Sequence, residues 1–144
     1  MLRYLCVGLL AVALPGCGGG SSDAVPITGT VTLDDKPLEG AMVTFHPEGE
    51  TGGLGGSGRT GPDGKYTLTP ARGKDGLPPG GYVVVVNRPL RKDGSLPPPD
   101  LPPIESDARE SLPAVYSSRT ASTLKKTVSK ETTTYDIALK SATR

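Results

Sequence analysis

The stretch that decides the fold is "GTVTLDDKPLEGAMVTFHP", Gly29 to Pro47. In its first part Val31 and Leu33 alternate with Thr30 and Thr32, continuing a pattern begun by Ile27 and Thr28. Period two sets aliphatic side chains on one face of an extended chain and threonines on the other, so the segment reads as a half-buried strand. "DDKPLEG" then interrupts the pattern with an Asp pair, Pro37 and Gly40, the residues of a turn. Alternation resumes in "AMVTFHP", where Ala41, Val43 and Phe45 share the inward parity and His46 has the opposite one.

The same grammar extends outward. "EGETGGLGGSGRTGPDG" (48–64) reads as a long glycine-rich connection ending in Asp63-Gly64, a hairpin signal because both residues tolerate positive φ. Gly40 and Gly64 are the turn glycines, and Asp63 is the turn acid. "KYTLTPA" resumes a strand with Tyr66 and Leu68 on one face, and "GLPPGG" makes the next turn. "YVVVVNRP" carries four consecutive valines, the mark of a strand buried on both faces or lying at a sheet centre. Tyr82 is expected to bury its ring and keep its hydroxyl in water.

After this strand comes "LRKDGSLPPPDLPPIESDARESLP" (90–113), too rich in proline for a helix or a central strand. "STLKKTV" and "TTYDIALK" then read as a closing hairpin across "SKET". No segment has the apolar period of an amphipathic helix. Short strands separated by Gly/Pro turns predict an all-β chain: a single Ig-like or prealbumin-like β-sandwich of about seven strands over residues 26–144.

Composition agrees. The 144 residues include 20 Gly and 15 Pro, no Trp and a single Phe, so the core must be built from Val, Leu, Ile and Ala with a few Tyr. Net charge is +1, and without residues 1–16, which hold only Arg3, it falls to zero. A neutral chain lacks the basic stripe of a nucleic-acid binder. The basic residues from Arg119 onward read as a solvated strand face.

The N-terminus speaks of location. "MLRY" carries one positive charge, and "LCVGLLAVAL" (5–14) is a ten-residue apolar run, too short to span a bilayer but fitting a secretory signal. Cys6 lies inside that run, so a disulfide with Cys17 is not expected. Leu14-Pro15-Gly16-Cys17 resembles the lipobox of bacterial lipoproteins, with Pro15 a departure from the small residue usual there. The resemblance implies removal of residues 1–16 and lipidation of Cys17, of the palmitate-bearing lipoprotein type. The alternative is an ordinary secretory signal with an incidental cysteine. "GGGSSD" cannot build a core and reads as a flexible tether, so residues 17–25 form lipidated Cys and leash. Gly18 and Gly19 stand where inner-membrane retention favours Asp, which favours the outer membrane.

The order of the turn motifs resembles carboxypeptidase regulatory-like domains. "GTVTLDDKPLEGAMVTFHP" (29–47) is similar to their opening, "TGPDGKYTLTP" (60–70) to their Asp-Gly-Lys-aromatic step, and "PPGGYVVVVNRP" (78–89) to their Pro-Gly-x-Tyr strand. "LPAVYSSRTASTLKKTV" (112–128) is similar to the ending of small bacterial lipoproteins of this type. The resemblance implies a transthyretin-like sandwich without established catalytic activity. The glycine loop at 49–61, Pro62 and the proline run at 96–103 depart from it.

Chemistry-bearing motifs are weak. "GLGGSG" (53–58) satisfies Gly-x-Gly-x-x-Gly, but a Pro-Asp-Gly turn and a strand follow where a dinucleotide site needs a helix N-terminus. Asp63 stands alone where a calcium loop needs several acids. His46, the single histidine, cannot make a zinc site alone, and Glu48 and Glu50 near it in sequence offer at most weak metal binding; no serine sits in a nucleophile elbow. No pair of carboxylates is selected. The expectation is therefore no catalytic, cofactor or metal residue, with Cys17 the one modification site. The proline run reads as a stiff spacer rather than a polyproline ligand. The function expected is a membrane-anchored, non-catalytic envelope module binding protein or glycan partners through loops 49–61 and 90–112. The alternative is an accessory domain that stabilises or presents an envelope enzyme or transporter.

Overall fold

A computed structural model describes residues 23–73, 76–101 and 106–142. The expected signal peptide, Cys17 and most of the tether lie outside the described residues, as do Pro102 and Pro103. Along the chain run β1 (Thr28–Leu33), β2 (Lys36–Pro37), β3 (Met42–Pro47), β4 (Gly56–Arg59), β5 (Lys65–Thr67), β6 (Thr69–Pro70), β7 (Gly80–Asn87), β8 (Pro89–Leu90) and β9 (Arg109–Glu110). A single helical turn α1 (Ala114–Ser117) precedes β10 (Lys125–Val128) and β11 (Ile137–Leu139).

These segments form two packed sheets and a small ribbon. In the first sheet β1 is central: β11 runs parallel to it on one edge, with Val31 opposite Ile137, and β2 and β5 lie antiparallel on the other. The second sheet has the order β10-β7-β3-β4-β6, all pairs antiparallel. β8 and β9 make the ribbon inside the proline-rich segment. The core lies between the sheets. Ile27, Val31 and Leu139 face it from the first, and Val43, Phe45, Tyr82, Val84, Val86 and Val128 from the second. The Phe45 ring packs tilted against Tyr82 at 5.9 Å and meets the Tyr135 ring edge-on at 6.2 Å, distances at which aromatic pairs attract.

The alternation around 29–47 is realised as read, with Ala41, Val43 and Phe45 fully buried. β7 pairs with β3 on one edge and β10 on the other, the interior position its valines require. Val85, of opposite parity to Val84 and Val86, is buried too, because α1 packs against β7.

Several expectations are corrected. The glycine-rich 48–64 segment is not all connection: Gly56–Arg59 is a strand of the second sheet. Its glycines are required there, since a Cβ at Gly56 would stand 2.8 Å from the Thr69 carbonyl oxygen and one at Gly58 would overlap that of Thr67. Asp63-Gly64 does form a tight turn, with Gly64 N–H donating to the Gly61 carbonyl at 2.9 Å and Gly61 N–H to that of Lys65 at 2.9 Å. Its flanking strands, however, belong to different sheets. The two-residue hairpin lies instead at Asp34-Asp35, both at positive φ (50° and 66°), between β1 and β2.

The closing hairpin is likewise split. β10 joins the second sheet and β11 the first, so "SKET" is a corner between layers with one bridge, Ser129 to Thr132. The Tyr82 hydroxyl is not in water: the residue is fully buried and donates to the Pro78 carbonyl at 2.8 Å. α1 is a helical turn where no helix was expected.

Candidate functional site

The strand directions give the sandwich two distinct ends. At one, the chain enters: Val25 and Leu77 exchange backbone hydrogen bonds of 2.8 and 2.9 Å, beside the loop after β3 and the Ser129–Thr132 corner. At the opposite end lie the β1–β2 hairpin, Gly40, the Asp63-Gly64 turn, the proline-rich segment and Ser141. We call these the proximal and distal poles.

The distal pole is built from backbone constraints. Gly40 has φ +73°, which L side chains rarely adopt, and the Leu96 side chain packs into the space a Cβ there would take. Leu96 thereby docks the proline run onto the sandwich. Thr60, the one buried polar side chain among the described residues, cinches the neighbouring turn: its hydroxyl donates to the Leu38 carbonyl at 2.5 Å and accepts from Ala41 N–H at 2.9 Å. Gly64, at φ +73°, packs on the backbone of Val31, Pro37 and Leu38. The Asp63 carboxylate accepts the Lys65 N–H at 3.1 Å, and this bond is the main reason its carboxyl is held below the usual carboxylate range. The three turn residues named from sequence thus converge on one pole.

The proline-rich segment is turned at its start by bonds within residues 91–95 and returned at its end by Glu110. Arg91 N–H donates to the Ser95 carbonyl at 2.9 Å, and the Asp93 carboxylate accepts from Ser95 N–H and Oγ at 2.9 and 2.6 Å. Glu110 is the clamp that returns the chain. Its carboxylate accepts from the backbone N–H groups of Arg88, Ser111 and Leu112, each at 2.9 Å, and from Asn87 Nδ2 at 3.0 Å. Sequence reading missed Glu110, Thr60 and Leu96, because nothing in their local patterns distinguishes them.

Clefts open on both sides of Pro97–Pro99. One, of about 470 Å³, lies between Glu39, Gly40, Thr60 and the prolines. The other, about 240 Å³, is lined by Pro89, Leu101, Ser106 and Ala108 besides the prolines. Arg59, at the end of β4, borders both and is the single charged residue lining the smaller one. A mostly apolar recess with one guanidinium suits a ligand with an acidic or hydroxylated group beside an apolar surface.

The other candidates are dispersed. His46 sits half-buried on the outer face of β3, and burial, helped by the Arg119 charge, pushes its imidazole below the usual value. Glu48, its expected neighbour, pairs with Lys125 at 2.7 Å. No group of three His, Cys, Asp or Glu side chains among the described residues stands close enough to hold a metal ion. The C-terminal lysines are engaged in exposed contacts: Lys130 with Asp23, Lys140 with Asp35, and Lys126 with the Asp136 carbonyl. Cys17 lies outside the described residues. Searches against protein-family models, curated proteins and solved structures find no match to this chain.

Proposed function

We propose that the chain is an exported, lipid-anchored and non-catalytic envelope module of the carboxypeptidase regulatory-like, prealbumin-type class. Cys17 carries the lipid, and the distal pole engages a protein or glycan partner. The observation that supports this reading is polarity: the chain enters the sandwich at one pole, while the docked proline run and its clefts occupy the other. A tether from Cys17 to Asp23 holds the proximal pole toward the membrane and leaves the distal pole facing outward.

Two arms test the proposal. Cys17→Ser is expected to abolish incorporation of labelled palmitate and to release the protein from the outer-membrane fraction; continued labelling overturns the anchor. A photo-crosslinker at Arg59 is expected to capture an envelope protein or glycan, whereas one at Arg72, an exposed proximal-pole residue, is not. Equal capture at both positions overturns the assignment of the binding pole. Turnover in a broad esterase and glycosidase screen overturns the non-catalytic reading.

A further inference from the structure

Leu54 is 62% exposed, the most exposed large apolar side chain among the described residues. It stands at the tip of "GGLG" (52–55), bracketed by Gly53 at φ +85° and Gly55 at φ +76°, which turn the backbone out and back again. Gly55 admits no side chain, since a Cβ there would overlap the Phe45 carbonyl oxygen. The loop is pinned on both flanks. Thr51 Oγ1 accepts from Gly81 N–H at 2.9 Å, and the Gly55 carbonyl accepts from Ala71 N–H at 2.9 Å. It is a braced knuckle with an aliphatic crown.

Its place in the fold suggests its partner. A Cβ at Gly53 would stand 3.5 Å from the Pro78 ring, so the knuckle rests beside Pro78. Pro78 follows Leu77, which is hydrogen-bonded to Val25, two residues after Asp23. The knuckle and the chain's point of arrival are therefore neighbours at the proximal pole. From Cys17 to Asp23 the chain spans at most roughly 20 Å when fully extended. A lipid at Cys17 therefore confines Leu54 to the vicinity of the headgroup layer.

We propose that Leu54 is a second, reversible bilayer contact, inserting into the interface of the membrane that holds the anchor and orienting the domain with its distal pole outward. This inference rests on the anchor proposed above. One leucine binds a membrane weakly by itself, but a tether converts the encounter into an intramolecular one at high effective concentration. Nearby charges, Glu50 and Arg72, oppose one another in sign, so the contact is apolar and does not need an anionic surface.

The chain lacks tryptophan, and residues 17–144 hold a single cysteine, Cys17. Leu54→Trp in the chain from Cys17 onward therefore provides a lone tryptophan, excited at the red edge of its absorption where Tyr66, Tyr82, Tyr116 and Tyr135 do not absorb. Coupling Cys17 to maleimide lipid in phosphatidylcholine vesicles supplies the tether chemically, whether or not cells lipidate that residue. Blue-shifted emission, quenched by bromine-labelled acyl chains only when the protein is coupled, is expected. Slowed amide exchange at 52–55 in the coupled, unsubstituted chain is the companion result, and it does not depend on how the variant folds. Water-like emission after coupling, with unchanged exchange, overturns the knuckle and leaves the anchor to be judged by palmitate labelling. Emission that is already blue-shifted in free solution and indifferent to vesicles also overturns it.

Discussion

Gly29→Ala should be among the most disruptive single-methyl additions to this domain. Gly29 lies on β1 opposite Tyr66 on β5, and the Tyr66 ring covers it. The Tyr66 hydroxyl then donates to the Tyr135 carbonyl at 2.6 Å, tying β5 to the approach of β11 across the central strand. A Cβ at position 29 would stand 2.7 Å from the Tyr135 carbonyl carbon and 2.9 Å from Tyr66 Cε1, and would overlap the carbonyl oxygen itself. Overpacking of this kind costs about 1–3 kcal/mol, and loss of the buried hydrogen bond adds about 1 kcal/mol. Alanine's smaller unfolded-state entropy returns about 0.5–1 kcal/mol. The net is a destabilisation of about 1–3.5 kcal/mol, or roughly 4–14 °C in Tm at about 4 °C per kcal/mol for a domain of this size. Thermal melts followed by circular dichroism measure it directly. Tyr66→Phe alone should cost about 1 kcal/mol. The double variant should cost less than the sum, because both substitutions remove the same bond. A Gly29→Ala protein that melts within about 3 °C of the parent would refute this packing.

Thr60→Val keeps the shape but strands the Leu38 carbonyl and the Ala41 N–H, so a loss of about 2 kcal/mol in urea unfolding is expected. Gly64→Val meets positive φ and a Cβ position 2.6 Å from the Val31 carbonyl oxygen, and should cost about 3 kcal/mol or more; an unchanged denaturant midpoint would contradict the turn. Burial, then the nearby Asp136 and Tyr135, raise the Tyr66 phenol above its ordinary value. Its contribution to stability is therefore complete below about pH 10, where the unfolded phenol ionises, and is lost as pH rises further. Phenolate absorbance in the parent minus Tyr66→Phe should appear only together with loss of the sheet signal, and earlier ionisation in a still-folded chain would contradict the burial.

Residues with a side-chain rhythm were legible. Val31, Val43 and Phe45 announce their strands because alternate burial leaves a period in the sequence, and the β7 valines announce theirs by the unbroken apolar run that burial on both faces requires. β4 was not legible, since Gly-Ser-Gly-Arg carries no such period and owes its conformation to the backbone of residues 67–69 lying against it. The turn at Asp63-Gly64 and the corner at Ser129–Thr132 read as hairpins because turn chemistry is local, whereas the choice between sheets is made by distant partners. The Tyr82 hydroxyl was misjudged although its acceptor is local: the Pro78 carbonyl, four residues upstream, is bent back onto it by a turn whose course "GLPPGG" does not announce. At the distal pole Gly40 could be read as a turn former, but Leu96, whose side chain fills the space beside it, lies in a proline run with no pattern linking the two.

The parallel pairing of β11 with β1 carries a consequence for biogenesis. The middle strand of the first sheet cannot satisfy its outer edge until Ile137, more than a hundred positions downstream, has emerged. Such distant pairing places assembly among the slower topologies, in milliseconds to seconds. If the chain is exported as proposed, it would stay pliable until its last strand cleared the exit, and a product cut short before Ile137 would display a bare, adhesive β-edge for quality-control proteases to find.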